Sequence, residues 1–400
     1  MNISNVVRPC KRIERFYSST LGIQTYDKDN LYPQRMLALL KNSPTGGTCC
    51  SRYENFIFGD GFRDKALSEL VVNRYGDTAN DILQLAVRDL SQFGGVSLHL
   101  NYALSGRVVE LQHVPFENCR LYEEDDAGYV PYICTHPDWS GTKTRRGKKL
   151  KVSRETVDYI YPFNPQKEVL LSQIDKDGGI EGYRGQILWY STAGRNTYPE
   201  PVYDKVVTNL STDEGLDNVK YRNVRNNFLP AGMLIRKKGL SGAIDKDGRP
   251  GGGTTQDEIR SREFDENLLT FQGDTNALAI MDVTVNADED APQWVSIKSQ
   301  NFDKDFTVTE SSVTERIYSA FGQEPWYAIR VGKLGFSGQL VAEAYEYYNS
   351  YVSKERQALE RIFSKVFGLW KEGLPGDFTI SPKSYVHNAE QTGTPNATER

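Results

Sequence analysis

The segment 324–336 (EPWYAIRVGKLGF) combines aromatic and basic side chains and contains no acidic residue after its first position. Cations neutralise phosphates and aromatic rings stack on bases, so this mixture suits contact with a nucleic-acid backbone or with the groove of a protein partner. The residues that could make such contacts are Trp326, Tyr327, Arg330 and Lys333. The alternative is a loop folded onto the core, anchored by Trp326 and Phe336. The pattern predicts a loop over 323–338.

A second basic segment, 143–154, carries seven cations in twelve residues and no acid. Its centre is Arg145, Arg146, Lys148 and Lys149. Such a patch suits phosphate or an acidic partner; the alternative is a solvated β-turn arm. The acidic run at 123–126 is a possible complement on a neighbouring subunit.

Motifs for enzymatic chemistry are absent from the sequence. It contains no GxxxxGK[ST], HExxH, CxxC or GxSxG pattern, and its four histidines are widely spread. Two Asp-Lys-Asp-Gly turns lack the further acidic positions and the glycine that a calcium loop needs. We therefore expect no catalytic residue, no metal site and no cofactor, although a glycosidase-like pair of carboxylates stays open.

Composition bounds the class of protein. The 400 residues suggest two or three parts, and a net charge of −5 excludes a uniformly basic nucleic-acid coat. No stretch approaches 18 apolar residues and the first residues have no apolar core, so we expect neither a membrane span nor a secretory signal. Five cysteines, an odd number, indicate reduced thiols in a cytoplasmic setting.

Periodicity predicts an α+β fold. Helical spacing is found first, and it is clearest over 78–93, where Thr78 and Asp81 resemble a capping box before the stop at Gly94. Alternation then predicts strands over 96–104 and 107–114, followed by further hairpins that complete an antiparallel β unit. The predicted elements are helices over 32–42 and 48–58, and hairpins pairing 119–122 with 129–135 and 169–174 with 186–190.

The second half reads as two helices around a region of short strands. Helices are predicted over 202–228 and 307–321, with strands at 232–236, 277–281 and 293–297 and a helix at 256–268 between them. A long helix is predicted over 339–370, and at 1.5 Å per residue about 31 residues span roughly 46 Å. Its tyrosine-rich face predicts core packing plus subunit contact. The interface residues are Tyr345, Tyr348, Tyr351 and Val352.

The run 303–325, with Ala320-Phe321-Gly322-Gln323-Glu324-Pro325 at its end, resembles the portal proteins of tailed bacteriophages. In that family a helix ends in an apolar-Phe-Gly-x-x-Pro element, and a loop and a long Glu- and Tyr-rich helix follow. The segments 198–203, 225–233, 32–40 and 59–61 are also similar. The resemblance covers most of residues 30–370.

This resemblance implies a portal-like organisation. It would comprise a wing of helices and the β unit (1–202), a first stem helix (203–229), a small α/β clip (230–302) and a second stem helix (303–322). A tunnel loop facing DNA (323–338), a long helix toward the crown (339–372) and a short strand with a flexible tail (373–400) would follow. The clip residues would be Arg236, Lys237, Lys238, Asp257 and Glu258.

The resemblance also implies a function and partners. The chain would form a homo-oligomeric ring, a dodecamer in the family, at one vertex of a virion assembled in the host cytoplasm. Double-stranded DNA would pass through the ring during packaging and ejection. The other partners would be the large terminase motor, a head-tail adaptor, and the major capsid and scaffold proteins, with no membrane involved. The alternatives are another virion connector or minor capsid protein, and a carboxylate-pair hydrolase.

Overall fold

A computed structural model describes residues 15–126, 128–145, 147–225, 232–237, 281–285, 293–296, 302–333, 338–373 and 376–385. The chain divides into two compact units. Unit 1 comprises Met1–Ser211 and Thr314–Arg400, and unit 2 comprises Thr212–Val313. The mixed helix and strand content confirms the predicted α+β class.

The described helices largely follow the predicted order. They are α1 (Tyr32–Asn42), α2 (Pro44–Phe58), α3 (Lys65–Ser68), α4 (Ala79–Phe93), α5 (Lys167–Lys176), α6 (Val207–Arg225), α7 (Phe302–Ala320), α8 (Glu324–Arg330), α9 (Gly338–Tyr351) and α10 (Ser353–Phe367). The capping box of α4 is confirmed: the Thr78 hydroxyl accepts from the Asp81 backbone N–H at 3.2 Å, and the Asp81 carboxylate accepts from the Thr78 N–H at 2.8 Å. Gly94, at φ 77°, ends that helix.

Strands of unit 1 form a six-stranded sheet of order β4-β3-β10-β9-β6-β5 beside two small hairpins, β1–β2 and β7–β8. The described strands of this unit are β1 (Arg15–Ser18), β2 (Ile23–Tyr26), β3 (Gly95–Tyr102), β4 (Val108–His113), β5 (Cys119–Leu121), β6 (Ile133–Thr135), β7 (Thr144–Arg145), β8 (Lys148–Lys149), β9 (Asp158–Pro162) and β10 (Gln186–Ser191). The β3–β4 and β5–β6 hairpins confirm the predicted pairs.

Two predictions for this sheet are wrong. The segment predicted as a strand over 169–174 lies in the helix α5, where Leu170 and Ile174, four residues apart, are buried while Leu171 is 38% exposed. That spacing is helical, and the alternation expected of a half-buried strand is absent. Because α5 crosses from β9 to β10, these strands pair in parallel, and the sheet is mixed rather than antiparallel.

The long helix predicted over 339–370 is also wrong in detail, because it is interrupted at Val352 between α9 and α10. The buried Arg356 side chain donates hydrogen bonds back to the backbone carbonyl and the side chain of Asn349, and to the Phe56 carbonyl at 2.9 Å. In a continuous helix the Asn349 carbonyl would accept from the backbone N–H of Ser353. The Arg356 guanidinium competes for that carbonyl, which accounts for the break.

The core of unit 1 lies where α2, α4 and α10 pack together and α4 covers β3. Aromatic side chains fill it, and Phe363, Phe367 and Trp370 are fully buried. The chain after α10 is tied to the sheet, since the Val108 N–H donates to the Leu369 carbonyl at 2.8 Å. Further along, Ile380 forms a bridge with Phe62.

Unit 2 contains a three-stranded sheet of order β12-β11-β13, built from β11 (Gly232–Lys237), β12 (Met281–Val285) and β13 (Gln293–Ser296). The strand predicted at 277–281 is therefore displaced by about one strand length toward the C-terminus. Within this unit Lys220 of α6 forms an ion pair with Glu310 of α7. The helix predicted at 256–268 and the polar tail beyond 385 lie outside the described residues.

Candidate nucleic-acid interface and its support

The residues between α7 and α8 form a rigid junction. Phe321 is fully buried, stacked on Tyr203 with ring centroids 5.7 Å apart. Gly322 has a φ of 64°, and a Cβ at this position would lie 2.3 Å from the ring of Tyr351. Only glycine adopts this conformation without strain and leaves room for that ring. The Phe-Gly pair is therefore required by local packing.

Gln323 is the centre of this junction and is completely buried. Its side-chain amide nitrogen donates to the Cys49 carbonyl at 2.8 Å and to the Tyr348 hydroxyl at 2.7 Å. Its amide oxygen accepts from the Arg52 guanidinium at 2.8 Å. The Tyr348 hydroxyl in turn donates to the Phe321 carbonyl at 3.0 Å. The start of α8 is thereby fixed to both α2 and α9.

The loop predicted over 323–338 is wrong for its first part, because Glu324–Arg330 is the helix α8. Pro325 occupies one of the first helical positions and Glu324 lies in the first turn. A proline at the start and an acid in the first turn are a helix-start signal that the sequence contained. The signal that identifies Gln323 is weaker, since nothing in the sequence distinguishes a buried glutamine from an exposed one.

Trp326 is an anchor, as the alternative interpretation of this segment expected. It is half-buried, and its ring lies 5.4 Å from that of Tyr345 and 6.1 Å from that of Phe56. The Arg52 guanidinium stacks 5.1 Å from the Trp326 ring centroid. Phe336, the other expected anchor, lies outside the described residues.

Arg330 and Lys333, in contrast to Trp326, are exposed. The Arg330 guanidinium lies 6.0 Å from the ring centroid of Tyr318, and the Lys333 ammonium lies 5.7 Å from that of Tyr327. Tyr318 and Tyr327 contact each other, with centroids 5.6 Å apart. The two cations thus share a small aromatic platform, and both can meet a phosphate from solvent.

The four residues predicted as a subunit interface divide into two groups. Tyr348 and Val352 are fully buried inside unit 1, so the prediction that they contact a neighbouring subunit is wrong. Tyr345 is half-buried against Phe56 and Trp326, whereas Tyr351 is 42% exposed. Helical spacing alone cannot tell which side of a tyrosine-rich helix faces the core, because every face carries a ring.

The predicted basic patch forms the β7–β8 hairpin. Lys149 is exposed, the backbones of Arg145 and Lys148 are paired strands, and Arg146 lies outside the described residues. The Arg154 side chain donates to the Thr20 carbonyl at 2.6 Å. The acidic run attaches to the same turn, since the Glu123 N–H donates to the Gly22 carbonyl at 2.8 Å. Both charged segments therefore border the turn between β1 and β2.

The predicted clip residues are only partly described. Arg236 and Lys237 lie in β11, at register positions opposite Thr284 and Val285 of β12. Lys238, Asp257 and Glu258 lie outside the described residues.

The described residues contain neither a metal-binding cluster nor a membrane-spanning helix. No three or more His, Cys, Asp or Glu side chains are arranged to hold a metal ion. No described helix combines the length and the apolar character needed to cross a bilayer. The cysteines at 49, 50, 119 and 134 are buried and form no disulfide.

One buried ionisable pair lies away from this segment. The His113 imidazole and the Asp89 carboxylate are 2.7 Å apart, and the same carboxylate oxygen accepts from the Phe116 N–H at 3.0 Å. Burial raises the pKa of Asp89 to about 6, opposed by the hydrogen bond to His113. The pair joins α4 to β4 and lies in the interior.

Comparison with solved structures finds similarity to chains of gene transfer agent particles and to a phage portal protein. The neck of a native gene transfer agent particle, computed with C12 symmetry, matches with a TM-score of 0.46 at 14% identity, covering 90% of this chain and 84% of the other. The neck of an empty particle, with C6 symmetry, gives 0.47 at 15% identity, covering 85% and 83%. An HK97 family phage portal protein from Corynebacterium diphtheriae gives 0.32 at 10% identity, covering 71% and 75%.

No protein-family model and no curated protein matches the sequence.

Proposed function

We propose that this chain is a ring-forming portal protein, a head-to-tail connector at one vertex of a virion, through which double-stranded DNA passes. The observation that carries the proposal is the order of its parts around the Phe321–Gln323 junction. Unit 2 is an insertion in unit 1 that begins within α6 and ends within α7, and the chain then returns along α7 to the junction. The exposed cations Arg330, at the end of α8, and Lys333, just after it, follow this junction in the chain.

This order supports the organisation implied by the sequence resemblance. Unit 2, with its small sheet, corresponds to the clip, and α6 and α7 correspond to the two stem helices. We assign the segment carrying Arg330 and Lys333 to the DNA-facing element, and its first part is the helix α8. Trp326 is a support of that element, and we assign no DNA contact to its ring.

The chemistry of Arg330 and Lys333 suits a channel. Each cation that neutralises a phosphate adds salt-dependent affinity for DNA. Two exposed cations per chain, on a chain with a net charge of −5, provide weak contacts that can be exchanged as DNA moves. The partners we propose are further copies of this chain in a ring of about twelve, as in the family resembled, with the large terminase, a head-tail adaptor, and capsid and scaffold proteins.

The first measurement is the mass of the purified protein in solution, with imaging of the particles. A ring with a central hole wide enough for a duplex supports the proposal. A chain that stays monomeric even with scaffold and capsid protein present contradicts it.

The DNA contact is tested with the double variant Arg330→Ala, Lys333→Ala. We expect rings of unchanged size, with impaired packaging or retention of DNA and a weaker salt dependence of DNA binding. The variant Lys167→Ala, Lys176→Ala removes the same charge from exposed positions of α5, outside both basic segments, and is the matched control. Normal packaging by the α8 variant would remove the role assigned to these two cations.

A further inference from the structure

An open groove of about 1040 Å³ lies in unit 1 between the first two helices and the α8–α9 region. Its apolar lining includes Leu37, Pro44, Trp326 and Tyr345. Its charged lining is Lys41, Arg52, Glu54 and Lys383. Lys383 is ion-paired with Asp60 and Glu54 with Arg88, so the charges of Lys41 and Arg52 remain in excess. The groove therefore combines exposed apolar and aromatic surface with an excess of positive charge.

The opposite side of α9 carries a different surface. Successive residues of a helix are about 100° apart, so Glu343 and Tyr347 lie about 160–200° from Tyr345 around the axis. We call the exposed residues Glu343, Glu346, Tyr347 and Tyr351 the Glu-Tyr stripe. The two tyrosines, 51% and 42% exposed, are one turn apart. Lys354 lies just beyond the stripe, at the start of α10.

We propose that the groove of one chain receives the Glu-Tyr stripe of a second copy, and that this is a subunit contact of the ring. The inference rests on the proposed function, and it names the surfaces through which the ring closes. The argument from the structure is complementarity of charge. After the Lys383–Asp60 and Arg88–Glu54 ion pairs are accounted for, the groove presents the positive charges of Lys41 and Arg52. The turn of the stripe that carries Glu343 and Glu346 has two acids and no cation.

The chemistry of the two surfaces agrees with a protein contact. Tyrosine and arginine are enriched at protein interfaces, and tyrosine anchors in pockets often dominate the binding energy. An exposed pair of tyrosines that follows two glutamates matches a groove whose wall is an arginine stacked on a tryptophan at 5.1 Å. The same glutamates disfavour a nucleic acid on the stripe, since phosphates and carboxylates repel.

Placement on opposite sides of one helix determines the type of assembly. A two-fold contact would need the groove and the stripe to meet their counterparts at the same time. Since the surfaces point in opposite directions, each chain binds one neighbour with its groove and another with its stripe. Such a head-to-tail contact produces a closed ring or an open filament.

The test is a charge exchange between the two surfaces. The stripe variant is Glu343→Lys with Glu346→Lys, and the groove variant is Lys41→Glu with Ser51→Glu, since Ser51 is an exposed residue of the groove. Each variant alone places like charges on both sides of the contact. We expect each to lose rings in size-exclusion chromatography with light scattering, and wild-type chain to form them under the same conditions.

Mixing the two variants gives the decisive result. The positive stripe of one then meets the negative groove of the other, and the wild-type groove meets the wild-type stripe, so we expect rings of wild-type size to return. Recovery also shows that both variants are folded. Dimers in place of rings, or variants that form normal rings alone, would overturn the inference and leave the portal proposal intact.

Two controls separate this result from general effects. The variant Glu155→Lys with Glu181→Lys makes the same charge change at exposed positions outside both surfaces, and it should form rings as wild type does. The uncharged change Tyr347→Ser should reduce ring formation at low protein concentration without changing the melting temperature. If Tyr347→Ser forms rings as wild type does and the mixed charge variants form none, the stripe does not occupy the groove. A wild-type chain that never forms rings contradicts the proposed function itself.

Discussion

The glutamine that fixes the start of α8 gives the sharpest test of the structure. We consider Gln323→Leu, which keeps the size of the side chain and removes its hydrogen bonds. In the native chain this amide joins three elements, through the Cys49 carbonyl, the Tyr348 hydroxyl and the Arg52 guanidinium, at 2.7–2.8 Å. Leucine fills the space and leaves these three partners without that link.

The expected loss follows from these three bonds. A buried hydrogen bond contributes a net of about 0.5–1.5 kcal/mol, and one to a charged group somewhat more. The Tyr348 hydroxyl still donates to Phe321, and the Arg52 guanidinium still stacks on Trp326. The third partner, the Cys49 carbonyl, lies inside α2, where helical geometry supplies a backbone donor. The full penalty for orphaned buried groups is therefore avoided, and we expect a loss of about 3 kcal/mol.

Differential scanning calorimetry measures this loss. Unit 1 has about 300 residues, and at an unfolding entropy of about 2.1 cal/mol/K per residue a loss of about 3 kcal/mol lowers the melting temperature by roughly 5 °C. Gln357→Leu is the matched control, because Gln357 is exposed on α10, and it should shift the melting temperature by less than about 1 °C. Equal melting temperatures for the two variants would refute the reasoning that Gln323 holds α8 in place.

Two further predictions concern unit 1. Gly322→Ala should destabilise it by at least about 1 kcal/mol, because alanine is strained at a φ of 64° and its Cβ meets the Tyr351 ring; adding Tyr351→Ala should recover part of the loss in calorimetry, and purely additive effects would contradict the clash. Burial raises the pKa of Asp89 to about 6, above its unfolded value of about 3.9, so the folded chain holds this proton more tightly. The stability from this group is present below about pH 4 and is lost as the pH rises to about 6. Asp89→Asn should flatten the dependence on pH of the free energy of unfolding, measured with urea, between these pH values. An unchanged pH dependence would exclude Asp89 as its source.

Local signals predicted unit 1 well wherever one residue type decides the structure. The capping box at Thr78 and the stop at Gly94 define α4 to within a residue, because both act through neighbouring backbone atoms. The prediction was wrong for α5, because a short apolar segment fits both the helical and the strand period until the burial of its residues is known. The break at Val352 depends on Arg356 reaching back to Asn349 and Phe56, the latter 300 residues away along the chain. No local pattern contains that information.

The same distinction applies to the candidate site. Composition identified 324–336 as an aromatic and basic segment, but it could not separate supporting residues from contacting ones. That separation depends on Arg52 of α2, which stacks on Trp326 and binds Gln323, and which the sequence places far from the segment. The start of α8 is anchored, so Arg330 at its end and Lys333 just beyond it are presented at fixed positions.

This division has a physical consequence for a DNA channel. Contacts of the Arg330 and Lys333 charges with tyrosine rings, at 6.0 and 5.7 Å, contribute only about 0.5–1 kcal/mol each at exposed sites. A contact with a tyrosine ring orients a cation without neutralising it. In the proposed ring many copies of this pair would line the channel, and DNA moving through it would exchange one weak contact for another. Stronger individual contacts between cations and phosphates would hold the duplex in place. A rigid support that presents a few exposed cations therefore suits transport better than a loop that binds DNA tightly.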